Sequence, residues 1–168
     1  VNEGKSAVAS PTKRKFLGYS FYYKNGTYRL RVHPKSLNRL KDKVREVTNR
    51  NVSMNFETRL KKLIEKTRGW VNYFKLADMS KSLKEMDGWI RRRLRACIWK
   101  TWKKIRTRFT SLNKLGIDRN KAWEFANTRK GYWRISNSPI MQRSITNERL
   151  EKRGYVSMST MYKKVILA

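Results

Sequence analysis

The longest helical pattern in the sequence constrains the fold more than any other feature. A Ser82–Glu85 pair, typical of a capping box, opens a run in which apolar residues recur at the spacing of one helix face. That face consists of Leu83, Met86, Ile90, Leu94, Cys97, Ile98, Trp102, Ile105 and Phe109. The pattern predicts one helix from Ser82 to about Phe109, which packs this face against other elements.

The rest of this predicted helix is strongly basic. Residues 91–109 contain nine Lys or Arg and no acid, namely Arg91, Arg92, Arg93, Arg95, Lys100, Lys103, Lys104, Arg106 and Arg108. A charge run is usually a solvated face, but solvated helices usually mix both signs. We therefore predict that this surface contacts RNA phosphates. Trp99 falls among the cations, and it either stacks on the nucleic acid or is covered by a second module.

The charge of the whole chain points to the same class of partner. The chain has 42 Lys and Arg against 12 Asp and Glu, a net charge of +30, which attracts polyanions. Six Trp, eight Tyr and six Phe argue against disorder, because they supply enough apolar surface for a core. No apolar run is long enough for a membrane helix, so we expect a nucleic-acid partner and no membrane.

Two shorter patterns complete the fold prediction before residue 110. The Asn25-Gly26 pair is typical of a type I′ turn, which predicts a hairpin with Lys24 opposite Thr27. Apolar residues at helical spacing then predict a helix capped by Ser36 and a second helix that includes residues 56–74. Together with the long basic helix, these form a predicted three-helix bundle.

Beyond Thr110 the sequence predicts a small helical region. Asp118 can cap one helix, and Ser138-Pro139 can open a last helix that extends toward Gly154. Between them, residues 128–134 interleave cations with aromatic rings, a mixture that suits single strands and RNA ends. The candidate binding residues there are Arg129, Lys130, Tyr132, Trp133 and Arg134. Either aromatic ring could instead fill a core. The fold class is thus mainly α with an N-terminal β-hairpin.

Groups that could catalyse a reaction are scarce. Cys97 and His33 are the only residues of their types, which excludes an intramolecular disulfide and a Cys/His zinc site. The acids are scattered, with no Asp-Asp pair to hold metal ions, and there is no phosphate-binding loop rich in glycine. We predict that the chain binds rather than catalyses, with no catalytic residue, metal site or cofactor of its own.

Several segments in one order resemble a known family. KRKFLGYSF, then RGWVNYF, then GWIRRRLRACIWKTWK, then TRKGYWRISNSPIMQRSITNERL are similar to the C-terminal part of group II intron reverse transcriptases, or maturases. TRKGYWR and the lack of a Cys-containing endonuclease region resemble the bacterial class C lineage. The resemblance divides the chain into the end of the palm with the hairpin (residues 1–33), the thumb or maturase domain X (34–109) and a DNA-binding region (110–168).

The resemblance also implies partners and a setting. Phe16, Leu17, Gly18 and Tyr19 would lie near the primer terminus. Fingers and a palm metal site would precede Val1, and Mg²⁺ would serve the full-length RNA-directed DNA polymerase and the intron ribozyme. The expected partners are group II intron RNA, template-primer, target DNA and the fingers and palm. The expected location is the bacterial cytoplasm, in a ribonucleoprotein or at the nucleoid. The expected function is to promote intron folding and splicing and to grip nucleic acid during copying.

Two other readings of the sequence remain open at this point. A stand-alone structural RNA-binding module, with no polymerase attached, has the same composition and the same basic helix. A DNA-targeting module using residues 110–168 is the other, and a preference for duplex DNA would support it. Binding to an anionic membrane surface ranks last, because the apolar face of the basic helix is needed by the other two helices.

Overall fold

The computed structural model describes residues 10–167, in which a small antiparallel sheet precedes a series of helices. After a 3-10 turn at Pro11–Lys13, the strands are β1 (Lys15–Phe16), β2 (Tyr19–Lys24) and β3 (Thr27–Val32). The helices are α1 (Pro34–Val47), α2 (Phe56–Tyr73), α3 (Ser80–Thr101), α4 (Ile105–Lys114), α5 (Arg119–Ala126), α6 (Tyr132–Ile135), α7 (Pro139–Ser144), α8 (Asn147–Lys152) and α9 (Met158–Ile166). The predicted fold class, mainly α with an N-terminal hairpin, is confirmed.

The hairpin forms around the predicted turn. Asn25 and Gly26 both have positive φ, 51° and 76°, as a type I′ turn requires. The predicted register, with Lys24 opposite Thr27, is confirmed along both strands. The apolar face of the hairpin is buried only near its base, since Tyr23 beside the turn is 61% exposed.

The hairpin is attached to the loop between α2 and α3. The backbone N–H of Asp78 donates to the carbonyl of Leu30 on β3 at 2.8 Å. The hydroxyl of Tyr22 on β2 donates to the Asp78 carboxylate, also at 2.8 Å. One loop residue therefore contacts both long strands and supplies partners that a lone hairpin would lack.

Helix α1 begins two residues before its predicted cap. Pro34 occupies the first turn, and the Nδ1 atom of His33 accepts a hydrogen bond from the Lys35 N–H at 3.1 Å. The prediction that Ser36 caps the helix is wrong. Its hydroxyl instead donates to the carbonyl of Gly18, at 3.0 Å, and so ties α1 to the turn between β1 and β2.

Helix α3 differs from its prediction at both ends. It begins at Ser80 after Met79, with no side-chain cap, so the predicted Ser82–Glu85 capping box is wrong. It ends at Thr101, and α4 begins at Ile105, so one predicted helix is two. The Thr101 hydroxyl donates to the carbonyl of Ile98 at 2.7 Å, which competes with continuation of the backbone ladder.

The C-terminal helices are shorter and more numerous than predicted. Asp118 and Ser138 cap α5 and α7 as predicted. The prediction of a single helix from Ser138 toward Gly154 is wrong. Helix α7 ends before Ile145, and the Thr146 hydroxyl caps a new helix, α8. Helix α9, Met158–Ile166, follows in a segment for which the sequence predicted no element.

The helices and the base of the hairpin share one hydrophobic core. The cluster of buried side chains runs from Val32 to Tyr162 and includes residues of α1, α2 and α3 and of the C-terminal helices. Helix α9 packs on α2 and α3, so it covers part of the predicted bundle. The predicted boundaries after residues 33 and 109 stay a prediction. Within residues 10–167, no helix has the length and apolar character needed to cross a membrane.

Candidate nucleic-acid interface

Six consecutive residues in the C-terminal half of α3 are buried, so the helix is covered on every side there. Every residue from 94 to 99 is buried, including Trp99, which is 1% exposed. Its ring packs edge-on against Trp102 and Phe125, with centroids 5.6 and 6.3 Å away. The prediction that Trp99 stacks on nucleic acid from an exposed face is wrong. The alternative, that a second module covers it, is confirmed, because Phe125 belongs to α5.

Arg95 is likewise an interior residue. It is 8% exposed. Its Nε donates to the carbonyl of Ile145 at 2.8 Å, and its Nη2 donates to the Asn147 amide oxygen at 3.1 Å. Burial lowers the pKa of the Arg95 guanidinium. The prediction that Arg95 lies on an open basic face is wrong. Its guanidinium donates instead to acceptors where α7 ends and α8 begins.

Three other predicted arginines bind protein groups with at least part of their guanidinium. Arg92 lies over the ring of Trp133 at 3.8 Å and donates to its carbonyl at 2.9 Å. Arg93 donates to the Thr48 hydroxyl. Arg108 donates to the carbonyl of Trp102 at 3.0 Å. These contacts join α3 and α4 to their neighbours, so several arginines of the predicted basic face already bind protein groups. Arg91, half-buried, makes no side-chain hydrogen bond within residues 10–167.

Among the predicted cations of residues 91–109, the most accessible lie where α3 ends and α4 begins. Lys103, Lys104 and Arg106 are exposed and Lys100 is half-buried. Two of them, Lys100 and Lys103, line a cavity of about 350 Å³ together with Arg50 from the α1–α2 loop. No carboxylate lines this cavity. We call it the loop groove and define it by the three cations Arg50, Lys100 and Lys103.

A buried arginine holds the wall of the loop groove in shape. Arg59 of α2 is 4% exposed and donates to the carbonyls of Asn49 and Val52, each at 3.0 Å, and to that of Val47. Sequence reasoning missed Arg59. A signal was present, because Arg59 falls within the apolar stripe of α2, beside Leu60, where a solvated cation would not be expected.

A second cavity adjoins the loop groove. It has a volume of about 500 Å³ and shares Phe56 and Thr101 with the groove. Apolar side chains of α3 and of the α7–α8 junction lie inside it, and Lys114, Lys152 and Arg153 lie among its lining residues. We call it the helix cavity. None of its lining cations was predicted as a site residue, because they come from separate helices whose packing the sequence does not reveal.

The aromatic-basic segment 128–134 reaches the same region through one residue. Tyr132 of α6 lies beneath both Arg50 and Lys100, whose charges are 5.1 and 5.0 Å from its ring centre. Trp133, 39% exposed, is partly covered by Arg92. The remaining predicted residues, Arg129, Lys130 and Arg134, are exposed. Tyr132 thus supports the loop groove, and the three cations lie on open surface.

The predicted primer-proximal residues occupy the turn between β1 and β2. Phe16 and Leu17 are exposed, and Gly18 has a φ of 88°. The hydroxyl of Tyr19 donates to the carbonyl of Tyr73, and burial raises the pKa of Tyr19. Leu17 and Gly18 line a separate cavity, so these residues are not part of the loop groove.

Few of the cations are neutralised by carboxylates. The ion pairs between residues 10 and 167 are Arg29–Asp78, Arg45–Asp42 and Lys66–Glu46. In that same part of the chain, no three His, Cys, Asp or Glu side chains come together as they would to hold a metal ion. What the arrangement offers is unpaired positive charge beside partly apolar cavities, which suits phosphates and bases.

Comparison with known families places the loop groove in a recognised segment. Residues 37–116 match the family model described as "Group II intron, maturase-specific domain". A search of curated proteins finds no match. The matched segment extends from α1 to the residues just after α4 and contains Arg50, Lys100 and Lys103.

Proposed function

We propose that this chain acts in group II intron splicing as a maturase and binds the intron RNA through the loop groove, because residues 37–116 match the maturase-specific domain of group II introns. The chemistry of splicing would belong to the RNA and its Mg²⁺ ions. The protein would contribute by holding the folded RNA, because its own groups provide charge rather than acids and bases.

One observation carries this proposal: the loop groove gathers Arg50, Lys100 and Lys103 in one cavity without a carboxylate. Cations gathered in this way would normally repel one another and be balanced by acids. Phosphates of a compact RNA provide the missing negative charge, and binding releases their counterions. The groove is also preformed, because Arg59 fixes the carbonyls of its wall. Little ordering would therefore be needed on binding.

The finer parts of the proposal come from the resemblance of the whole chain. Within a longer polypeptide, residues 34–109 would act as the thumb of an RNA-directed DNA polymerase and hold template-primer by its backbone. Residues 110–168, with Arg129, Lys130 and Arg134 exposed, would contact target DNA. Fingers and palm of the bacterial class C type, with their Mg²⁺ site, would complete that enzyme.

The test replaces the three cations of the loop groove with alanine. We would measure binding to a group II intron RNA and to an unrelated structured RNA of equal length, across a salt series. Affinity falls as salt rises, and each lost phosphate contact should reduce the magnitude of the slope of log affinity against log salt by about 0.7–0.9. The slope of the triple variant should therefore be smaller in magnitude by about 2–3. A preference for the intron RNA should persist in the unsubstituted chain at about 0.15 M salt.

A matched control removes the same charge elsewhere. Arg29, Arg45 and Lys66 each lie within ion-pair distance of a carboxylate. Their replacement by alanine changes the net charge equally but should leave most of the salt slope intact. If both triple variants lowered the slope equally, the loop groove would have no special role, and binding would reflect total charge alone.

A further inference from the structure

The helix cavity combines an apolar interior with a basic edge. Ile98 and Ile145, each about 5% exposed or less, lie in its interior beside the ring of Trp102. Phe56 stands where this cavity meets the loop groove. A flat apolar group entering here would therefore find aliphatic and aromatic surfaces, next to the groove already proposed for RNA.

Helix α8 turns its basic side toward this cavity. Arg149, Lys152 and Arg153 line it, whereas Glu148 and Glu151 do not. This separation follows from helical spacing, because residues three and four apart share a face. The charge at the cavity is therefore positive, although the helix itself carries both signs.

Not all of these cations are available to a ligand. Arg149 donates to the carbonyls of Leu115 and Ser144, so its guanidinium already binds protein groups. Lys114, Lys152 and Arg153 make no ion pair within residues 10–167. The guanidinium of Arg153 lies 4.9 Å from the ring centre of Phe56. Charge is thus held at the boundary between the two cavities.

We infer that the helix cavity binds an unpaired RNA base, with the adjoining phosphates held by Lys114, Lys152 and Arg153. This inference rests on the proposed RNA-binding function and names the RNA feature recognised. Specific RNA recognition commonly uses unstacked bases that pack against aromatic and guanidinium planes. The volume of about 500 Å³ lies within the range of about 300–1,000 Å³ found for small-ligand pockets.

The test compares three RNA hairpins that differ at one position. One carries a single bulged adenosine, the second has an abasic nucleotide at that position, and the third is fully paired. We would measure their affinities for the full chain by fluorescence anisotropy at about 0.15 M salt. Stacking of one base contributes enough to expect about tenfold tighter binding of the bulged adenosine than of the abasic hairpin.

Two variants of α4 then locate the effect. Ser111 lines the cavity and Thr110 beside it is exposed without lining it. Ser111→Phe should fill the cavity and abolish the difference between the adenosine and abasic hairpins. Thr110→Phe, which adds the same ring outside, should preserve it.

The outcomes separate this inference from the function on which it rests. Equal and salt-dependent binding of all three hairpins would overturn base recognition and leave RNA binding in place. Absence of binding to any hairpin and to intron RNA would overturn both. A tenfold preference that Ser111→Phe leaves unchanged would place the base elsewhere and so overturn the assignment to this cavity. The hairpin comparison uses the unsubstituted chain, so it stands even if a variant fails to fold.

Discussion

Asp87 of α3 should contribute more to stability than any exposed carboxylate of this chain. It is 2% exposed, and it accepts hydrogen bonds from the Tyr155 hydroxyl at 3.1 Å and the Met158 N–H at 2.7 Å. Its other oxygen accepts from the N–H and the hydroxyl of Ser159, at 3.0 and 2.6 Å. Met158 and Ser159 open α9, so the carboxylate serves as a cap supplied from another helix.

The magnitude of its loss follows from those contacts. A hydrogen bond to a charged group contributes about 1.5–3 kcal/mol, and such values do not add in one network. Asp87→Ala leaves buried donors without a partner, and we expect it to reduce the free energy of unfolding by about 3–5 kcal/mol. Asp87→Asn keeps one acceptor but turns an amide N–H₂ toward donors, and we expect a loss of about 2–3 kcal/mol.

Urea unfolding of both variants at pH 7 measures these losses, and hydrogen exchange locates them. Amides of α9 should lose protection before those of α1, because the capped end is released first. The matched control is Asp42→Ala, since Asp42 is 70% exposed and pairs only with Arg45 on the surface. That control should change stability by less than about 1 kcal/mol. A loss below about 1 kcal/mol for Asp87→Ala, with α9 still protected, would refute the reasoning.

Two other predictions concern the interior of α3 and its neighbours. Trp99→Ala should reduce the free energy of unfolding by about 3–5 kcal/mol in a urea titration, because the ring is 1% exposed. Trp133→Ala, at a 39% exposed position, should cost far less, and similar losses for both would contradict the packing described here. Burial raises the pKa of the Cys97 thiol above its ordinary 9.0 and also raises the pKa of Tyr155. Both groups are harder to deprotonate in the folded state than in the unfolded state. Their contribution to the free energy of unfolding is therefore fully present below about pH 9 and is lost as pH rises further. Urea midpoints from pH 7 to 10.5 should show this decline, and Cys97→Ala should make it shallower.

Local signals in the sequence were sufficient for the elements that depend on local chemistry. The Asn25-Gly26 turn needs only two residues that tolerate positive φ, and it determined the whole register of the hairpin. Asp118 and Ser138 could be assigned as caps because a short polar side chain reaches the N–H groups beside it. These features would form in much the same way in many folds.

The end of α3 could not be predicted by the same reasoning. Residues 101–104 contain no Gly or Pro, and the apolar spacing continues unchanged into α4. At the break, the Thr101 hydroxyl donates to the carbonyl of Ile98, and Arg108 of α4 donates back to the carbonyl of Trp102. Hydrogen bonds between a side chain and the backbone are not part of a periodic apolar pattern, so the pattern does not report them.

The candidate interface was predicted in part, and for a physical reason. Lys100 and Lys103, which the sequence predicted as RNA-binding residues, line the loop groove, whereas Arg50, Lys114 and Arg153 were not foreseen. The sequence gives the charge of each side chain but not whether a neighbour already uses it. Replacement of Arg50, Lys100 and Lys103 with alanine tests whether the three cations of the loop groove bind RNA.

Arginine and lysine play different parts in this chain, and the difference explains where RNA should bind. Arg59, Arg95 and Arg149 each donate to two or more separate protein acceptors, mostly backbone carbonyls. A guanidinium can do so because it carries several donors in one plane and is less strongly hydrated than an ammonium. With 42 cations and only 12 acids, carbonyl oxygens take the place of carboxylates as buried partners. A net charge of +30 therefore overstates the number of phosphate contacts. The RNA backbone should lie against the cations that are not used in this way, namely those of the loop groove and those at the edge of the helix cavity.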